Sequence, residues 1–113
     1  MDANTLIVLT TCPDEATAAR LATALLDLRL AACVSRVPGL TSWYRWEGRV
    51  ERDDEVLLLI KTAADRYNEL SERLTELHPY DVPELLALDV TRGLPAYLDW
   101  VAAETRAEPP AQP

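Results

Sequence analysis

At 113 residues, with 49% hydrophobic and 27% charged side chains, the chain has the size and composition of one globular domain. Its formal net charge of −8, from 19 acidic and 11 basic residues, argues against nucleic-acid binding, which needs a basic surface. No segment approaches the roughly 18 consecutive apolar residues of a membrane span, and Asp2 argues against a secretory signal peptide. We therefore expect a cytoplasmic protein that binds neither nucleic acid nor membranes. Its two cysteines, Cys12 and Cys33, are then free thiols or, less often, metal ligands.

The first half of the chain predicts a strand, a helix and a second strand. Thr5–Leu9 is a short run of β-forming apolar residues, which predicts a buried strand. Apolar residues that recur every three or four positions predict a helix from Ala16 to about Leu28. The second strand begins near Ala32, is interrupted by Pro38 and Gly39, and resumes over LTSWYRW. A proline at that place predicts an edge or a bulge.

A third strand follows a tight turn around Gly48. Its half from Val56 to Ile60 is apolar at every position, as in a strand that is covered on both faces. Its first half is amphipathic and is expected to project beyond the core. The acidic run within that half, Glu51 to Glu55, is interpreted as part of a solvated hairpin.

The second helix starts near Ala64, and its apolar stripe ends before Pro79, which disfavours helical geometry in the residue before it. PELLALDV predicts a fourth strand, Glu84 to Val90, and Pro95 opens a last helix. We expect a single domain over residues 1–105 and a disordered tail over 106–113.

The order βαββαβ plus a terminal helix predicts the α+β class: a ferredoxin-like sandwich of four antiparallel strands with two helices on one face, extended by an extra C-terminal helix. One face of the sheet would then lack helices, although the third strand is apolar on both sides. An uncovered apolar face on an acidic protein predicts self-association, and cyclic symmetry is its usual form.

Three segments carry a family resemblance: LAACVSRVPGLTSWYRWEGRVERDDEVLLLIKT, HPYDVPELLALDV and GLPAYLDWV. They resemble the CutA family of divalent-cation tolerance proteins from Leu6 to Val101, most specifically in VPG-TS-Y-WEG and HPY-VPE. The resemblance implies a PII-like homotrimer and a cytoplasmic role in tolerance to copper and other divalent cations. The copper ligands that it implies fall on Thr10, Leu77 and His78, of which only His78 is a usual ligand type here.

His78 is the only histidine and allows three interpretations. It is a helix-end residue bonded to carbonyls or a neighbouring acid, a metal ligand oriented by an acceptor such as Asp81 or Glu84, or a general base. The predicted topology places Cys12 at the same end of the domain and Cys33 at the opposite end. A Cys12–His78 pair would suit copper or zinc by ligand softness.

A second hypothesis concerns a cleft between subunits that binds a small molecule or a partner, lined by Trp46, Lys61, Tyr80 and Glu84. The alternatives are a solvated or ion-paired Lys61, tryptophans in a trimer seam, and a structural Glu84–His78 pair. A third hypothesis is a rigid trimeric scaffold without a ligand. The sequence contains no glycine-rich phosphate loop, metal-spaced histidine motif or Ser-His-Asp grouping, so we do not expect an enzyme.

Overall fold

A computed structural model describes residues 4–106, which form four strands and three helices. In chain order these are β1 (Thr5–Cys12), α1 (Glu15–Asp27), β2 (Cys33–Trp46), β3 (Arg49–Ala63), α2 (Tyr67–Leu77), β4 (Leu86–Asp89) and α3 (Pro95–Glu104). A 3₁₀ turn, Ala64–Arg66, leads into α2. Of the predicted tail, Arg106 is described and is bonded to Asp65, while 107–113 lie outside the described residues. No helix in residues 4–106 is long and apolar enough to cross a membrane.

Local chemistry sets both ends of α1. The Asp14 side chain accepts a hydrogen bond from the backbone N–H of Thr17 at 2.8 Å, so the helix starts one residue before the predicted position. At the other end Arg29 adopts a positive φ of 57°, and the N–H of Leu30 bonds to the carbonyl of Leu25 at 2.9 Å. This left-handed residue ends the helix in a Schellman-type turn, a place that glycine usually occupies.

The sheet has the order β2-β3-β1-β4, and every neighbouring pair is antiparallel. This confirms the predicted ferredoxin-like topology. Only β4 is clearly shorter than predicted: it has four residues, Leu86–Asp89, whereas the sequence predicted a strand from Glu84 to Val90. The reason is that β1 pairs with β4 only from Leu6 to Leu9. Beyond that point the carbonyl of Thr11 is bonded to the ring of His78.

One face of the sheet, the helix face, is closed by α1 and α2. Alternation along β1 and β3 places Val8, Leu58 and Ile60 on this face, where they are at most 1% exposed. They belong to one core cluster with apolar residues of both helices, among them Leu21 and Leu74. The core of the domain therefore lies between the helix face and these two helices.

The opposite side, the second face, is closed only at one end, by α3. There Thr5 and Ala63 are buried, and Val101 of α3 is fully buried outside the main core cluster. Helix α3 thus covers part of the face that we predicted to lack helices. Over the rest of the second face, Leu86 is 55% and Leu88 52% exposed.

Strands β2 and β3 continue past the end of β1 as a projecting ribbon, residues 40–55, which we call the hairpin arm. A register shift between Val37 and Leu40 confirms the predicted bulge. At the tip, Glu47 and Gly48 both have positive φ, as a two-residue type I′ turn requires. The arm contributes to a longest dimension of 56 Å, so the third strand projects beyond the core as expected.

Candidate functional site

His78 is buried at the end of α2, and hydrogen bonds engage both nitrogens of its ring. Its backbone N–H bonds to the carbonyl of Leu74, which closes the helix. Nε2 lies 2.8 Å from the carbonyl oxygen of Thr11, and Nδ1 lies 3.1 Å from the backbone nitrogen of Tyr80. Since the N–H of Tyr80 can only donate, Nδ1 is the acceptor and Nε2–H donates to Thr11. The ring therefore joins α2, the end of β1 and the following loop.

This geometry identifies the acceptor that orients His78. It is the main-chain carbonyl of Thr11, and not the side chain of Asp81 or Glu84. A metal could reach the ring only if one of its two hydrogen bonds were broken. Within residues 4–106 no three His, Cys, Asp or Glu side chains are grouped so that they could hold a metal ion. The role of His78 as a metal ligand stays a prediction.

Cys12 lies at the same end of the domain as His78, because it follows Thr11 in β1. Its thiol is fully buried. Burial, together with the nearby charges of Glu55 and Asp14, raises the pKa of Cys12 to about 11. The thiol is therefore protonated at neutral pH and a poor metal ligand until something displaces the proton. Cys33 is at the other end, opposite Lys61 of β3.

A cleft of about 670 Å³ opens between the hairpin arm and the loop of residues 78–85, and we call it the arm cleft. Its walls are formed by Thr11, Ser42, Trp43, Tyr44, Trp46, Asp53, Glu55, Tyr80, Asp81, Val82, Pro83 and Glu84. Three of the residues predicted to line a ligand cleft, Trp46, Tyr80 and Glu84, are thus brought together within one chain.

Lys61 does not belong to the arm cleft of its own chain. It lies on the second face, where its Nζ donates to the hydroxyl of Ser35 at 2.6 Å and is 3.5 Å from the carbonyl oxygen of Leu59. Across residues 4–106 no carboxylate lies within ion-pair distance of this half-buried ammonium group. Lys61 could join an arm cleft only from a second subunit.

Two tyrosine hydroxyls hold carboxylates in the arm cleft. The Tyr80 hydroxyl donates to Oε2 of Glu55 at 2.8 Å, and Tyr44 donates to Asp53. Burial and the bond to Glu55 raise the pKa of Tyr80, while the bond to Asp53 raises the pKa of Tyr44 to about 12. Both phenols are therefore neutral donors at physiological pH.

The prediction for Glu55 was wrong. We interpreted it as part of a solvated hairpin, but it is only 9% exposed. The position of Glu55 in the strand could have indicated its burial. Glu55 lies two residues before Leu57, and residues two apart in a strand point to the same face, here of β3. The acidic composition of the run from Glu51 to Glu55 obscured this alternation.

Comparisons with known proteins agree with one another. A family described as "CutA1 divalent ion tolerance protein" matches residues 6–104. The divalent-cation tolerance protein CutA of Thermus thermophilus is 52% identical over 99 residues, 88% of this chain and 96% of that protein. A solved structure of the Cut A1 protein from that organism has a TM-score of 0.88 at 50% identity and covers 90% of this chain and 99% of its own. The CutA1 structure from Oryza sativa has a TM-score of 0.90 at 41% identity, covering 93% of this chain and 96% of its own.

Proposed function

Because the chain belongs to the CutA1 divalent ion tolerance family, we propose that it acts in the response to metal ions as a cytoplasmic homotrimer that binds copper or another divalent cation weakly. The observation that carries the trimer is the incompletely covered second face. Leu86 and Leu88 of β4 are more than half exposed on it, and Val37 of β2 is 41% exposed. Val37 and the two leucines lie on opposite edges of the sheet, and half-buried Leu57, Leu59 and Leu9 lie between them. Exposed apolar area of this kind marks an interface, and copies of the same chain related by cyclic symmetry would cover it.

Light scattering coupled to size exclusion tests the assembly. At micromolar concentration the expected mass is three times 12.6 kDa. Leu88→Glu places a charge in the proposed interface and is expected to give monomers. Leu26→Glu is the matched control, because Leu26 is 41% exposed but lies on α1, away from the second face. A monomeric wild type would overturn the proposal.

We expect metal binding to be weak because neither ligand candidate has a free donor atom ready for a metal. Both ring nitrogens of His78 are already bonded, and the thiol of Cys12 is buried with a pKa of about 11. A metal must displace a hydrogen bond from the first and a proton from the second. One imidazole and one thiol per chain also fall short of the three protein ligands of a tight zinc site, unless subunits share the ion.

Calorimetric titration with copper and with zinc tests this part. We expect saturable heat with the wild type that is lost in His78→Ala and reduced in Cys12→Ser. Cys33→Ser is the matched control for the thiol, because Cys33 lies at the far end of the sheet. The far-UV spectrum of His78→Ala must match that of the wild type. Undiminished heat in a folded His78→Ala protein would exclude this residue as a ligand.

A second candidate function is a PII-like module that binds a small ligand in a cleft between subunits, and the arm cleft is the observation that favours it. Trp46, Tyr80 and Glu84 of one chain would line the site, and Lys61 would come from a neighbour. A thermal-shift screen tests this, because a ligand specific to the folded state raises the melting temperature. Absence of any shift with cationic, neutral and anionic ligands would count against the module.

We further propose that the protein binds rather than catalyses, and that it stays in the cytoplasm. The family is named for ion tolerance and not for a reaction, which supports the first point. Cell fractionation with an antibody against the native protein tests the second point. Recovery of most of the protein outside the cytoplasmic fraction would contradict it.

A further inference from the structure

Strand β3 carries opposite charges at the two ends of its second face. Side chains alternate along a strand, so Glu55, Leu57, Leu59 and Lys61 share that face, and we call these four residues the β3 stripe. The two leucines are half-buried and lie between the two charged residues. At about 3.3 Å per residue the charged residues are about 20 Å apart, which is too far for them to pair within one chain.

The carboxylate of Glu55 is not neutralised by its own chain. It is 9% exposed, and the Tyr80 hydroxyl that donates to its Oε2 at 2.8 Å carries no charge. No basic side chain in residues 4–106 lies within ion-pair distance of it. Buried charges in proteins are normally paired, because an unpaired one loses its hydration without compensation. The bond from Tyr80 therefore orients the carboxylate but leaves its charge unpaired.

Lys61 is the complementary case at the other end of the β3 stripe. Its half-buried ammonium group is bonded to the hydroxyl of Ser35 and lies near the carbonyl oxygen of Leu59, and both of these groups are neutral. Across the described part of the chain no carboxylate is close enough to form an ion pair with it. The β3 stripe thus ends in one unpaired anion and one unpaired cation, and a neutral hydroxyl holds each of them in place.

We propose that Lys61 of each copy forms an ion pair with Glu55 of the next copy, so that a neighbouring chain completes the arm cleft. The inference rests on the proposed trimer and specifies the contact that selects its arrangement. Charge complementarity makes a second copy the partner, because the two ends of one stripe carry opposite charges. A ring in which one end of each stripe meets the other end of the next pairs every one of these charges.

The proposed pair also determines how the subunits are oriented. Rotation about a symmetry axis leaves each atom at its own height along that axis. Glu55 and Lys61 are about 20 Å apart along β3, so they can meet in neighbouring copies only if both lie at nearly the same height. Strand β3 must therefore run nearly perpendicular to the symmetry axis, and the hairpin arm, which begins at Glu55, is directed toward the next copy.

A double-mutant cycle tests the pair with neutral side chains of similar size. Glu55→Gln keeps an acceptor for Tyr80, and Lys61→Met keeps an apolar stem. Light scattering over a dilution series follows dissociation, in a fixed urea concentration at which wild-type trimers dissociate within the measured range. Each single variant should raise the concentration of half-dissociation by about tenfold or more, because it leaves one buried charge unpaired.

The double variant removes both charges and should lose little more than either single variant, since no charge is then left unpaired. Additive losses would overturn the proposal. Far-UV spectra that match the wild type show that each variant is folded.

Asp54→Asn provides the matched control cycle. Asp54 is adjacent to Glu55 but lies on the other face of the arm, where it bonds to Thr41 at 3.2 Å and its side chain is 79% exposed. Combined with Lys61→Met, it should give effects that simply add. Coupling as strong as that of Glu55 would reduce the effect to net charge and refute a specific pair.

Charge reversal distinguishes a ring of three from a dimer. Glu55→Lys or Lys61→Glu alone puts like charges at every interface and should give monomers, whereas both changes in one chain should restore trimers. In a mixture of the two single variants, any ring of three places two identical chains side by side, so one like-charged interface remains and trimers should not form. Stable mixed dimers would overturn the ring, and a double reversal no better than the single reversals would overturn the pair.

These outcomes separate the inference from the proposed function. A monomeric wild type would overturn the trimer and the Glu55–Lys61 pair together. A trimeric wild type with additive losses in the Glu55–Lys61 cycle would overturn the pair alone and leave the trimer standing.

Discussion

The two faces of the sheet differ in how far the chain completes them. On the helix face Val8, Leu58 and Ile60 are at most 1% exposed, and α1 and α2 supply the cover. On the second face α3 covers only one end, and Leu86 and Leu88 remain half exposed. The same face also carries two charges without counter-ions among residues 4–106, Glu55 at the base of the hairpin arm and Lys61 near the opposite end.

This difference teaches where to look for function. A face whose apolar side chains are covered within the chain stabilises the fold and needs no further cover. A face that leaves apolar area exposed and charges unpaired is a candidate for contact with something outside the chain. The proposed trimer concerns the second face, because other copies of the chain would cover its leucines.

The largest expected effect tests the contrast at adjacent positions of β3. Leu58→Ala empties a site in the core and should lower the free energy of unfolding by about 3 kcal/mol at every protein concentration. Leu57→Ala, one residue away on the second face, should cost less in dilute protein and more as the concentration rises, because in the proposed trimer other subunits would supply its cover. Urea unfolding at several concentrations measures both variants. Equal, concentration-independent losses would show that the two faces do not differ.

The next effect concerns the buried carboxylate. Tyr80→Phe removes the only hydrogen-bond donor to Glu55 in the described chain and should destabilise the protein by about 1–2 kcal/mol. Tyr44→Phe is the control, since it removes an analogous bond to Asp53 on a more exposed part of the arm. Its effect on urea unfolding should be smaller. If the two substitutions had the same effect, Glu55 would not behave as a buried charge.

The smallest effect concerns the ion pair that fastens α3 over the closed end of the second face. Arg106 donates to both carboxylate oxygens of Asp65, at 2.6 and 2.7 Å, and these bonds lower the pKa of Asp65 from 3.8. The pair is largely exposed, so solvent screening limits its contribution to about 0.5 kcal/mol. Asp65→Asn should remove that amount at neutral pH.

The pH dependence of this pair has a definite sign. The pKa of Asp65 is lower in the folded state, so its contribution is complete above 3.8 and is lost as pH falls through the lower folded value. Urea unfolding of the wild type and Asp65→Asn should therefore differ at pH 7 and converge in strong acid. A difference that persists in strong acid would mean that the pair acts through packing and not through charge.

Much of the fold was predictable because its signals are local. The apolar run at Val56–Ile60 indicated a strand covered on both faces, and the structure places alternate residues of it against the helices and on the second face. The bulge after Val37 and the helix end before Pro79 followed from single prolines. The bounds of β4 were predicted less well, because they depend on how far β1 extends beside it.

The candidate site was predictable only in part. Trp46, Tyr80 and Glu84 do line one cleft, because the segments that carry them meet at the end of β1. Lys61 is separated from them in its own chain, since it lies opposite Cys33 at the far end of β3. Sequence reasoning missed Glu55 because composition, and not alternation, was used to interpret the acidic run.

The sequence by itself determined the order of the elements, the ferredoxin-like topology and the family, because periodicity, turn residues and motifs are properties of neighbouring positions. Only the tertiary structure decided that the ring of His78 is bonded at both nitrogens, that Glu55 is buried and that α3 closes one end of the second face. Each of these depends on distant segments coming together, such as Thr11 with His78, and a linear pattern does not encode which main-chain group meets a side chain.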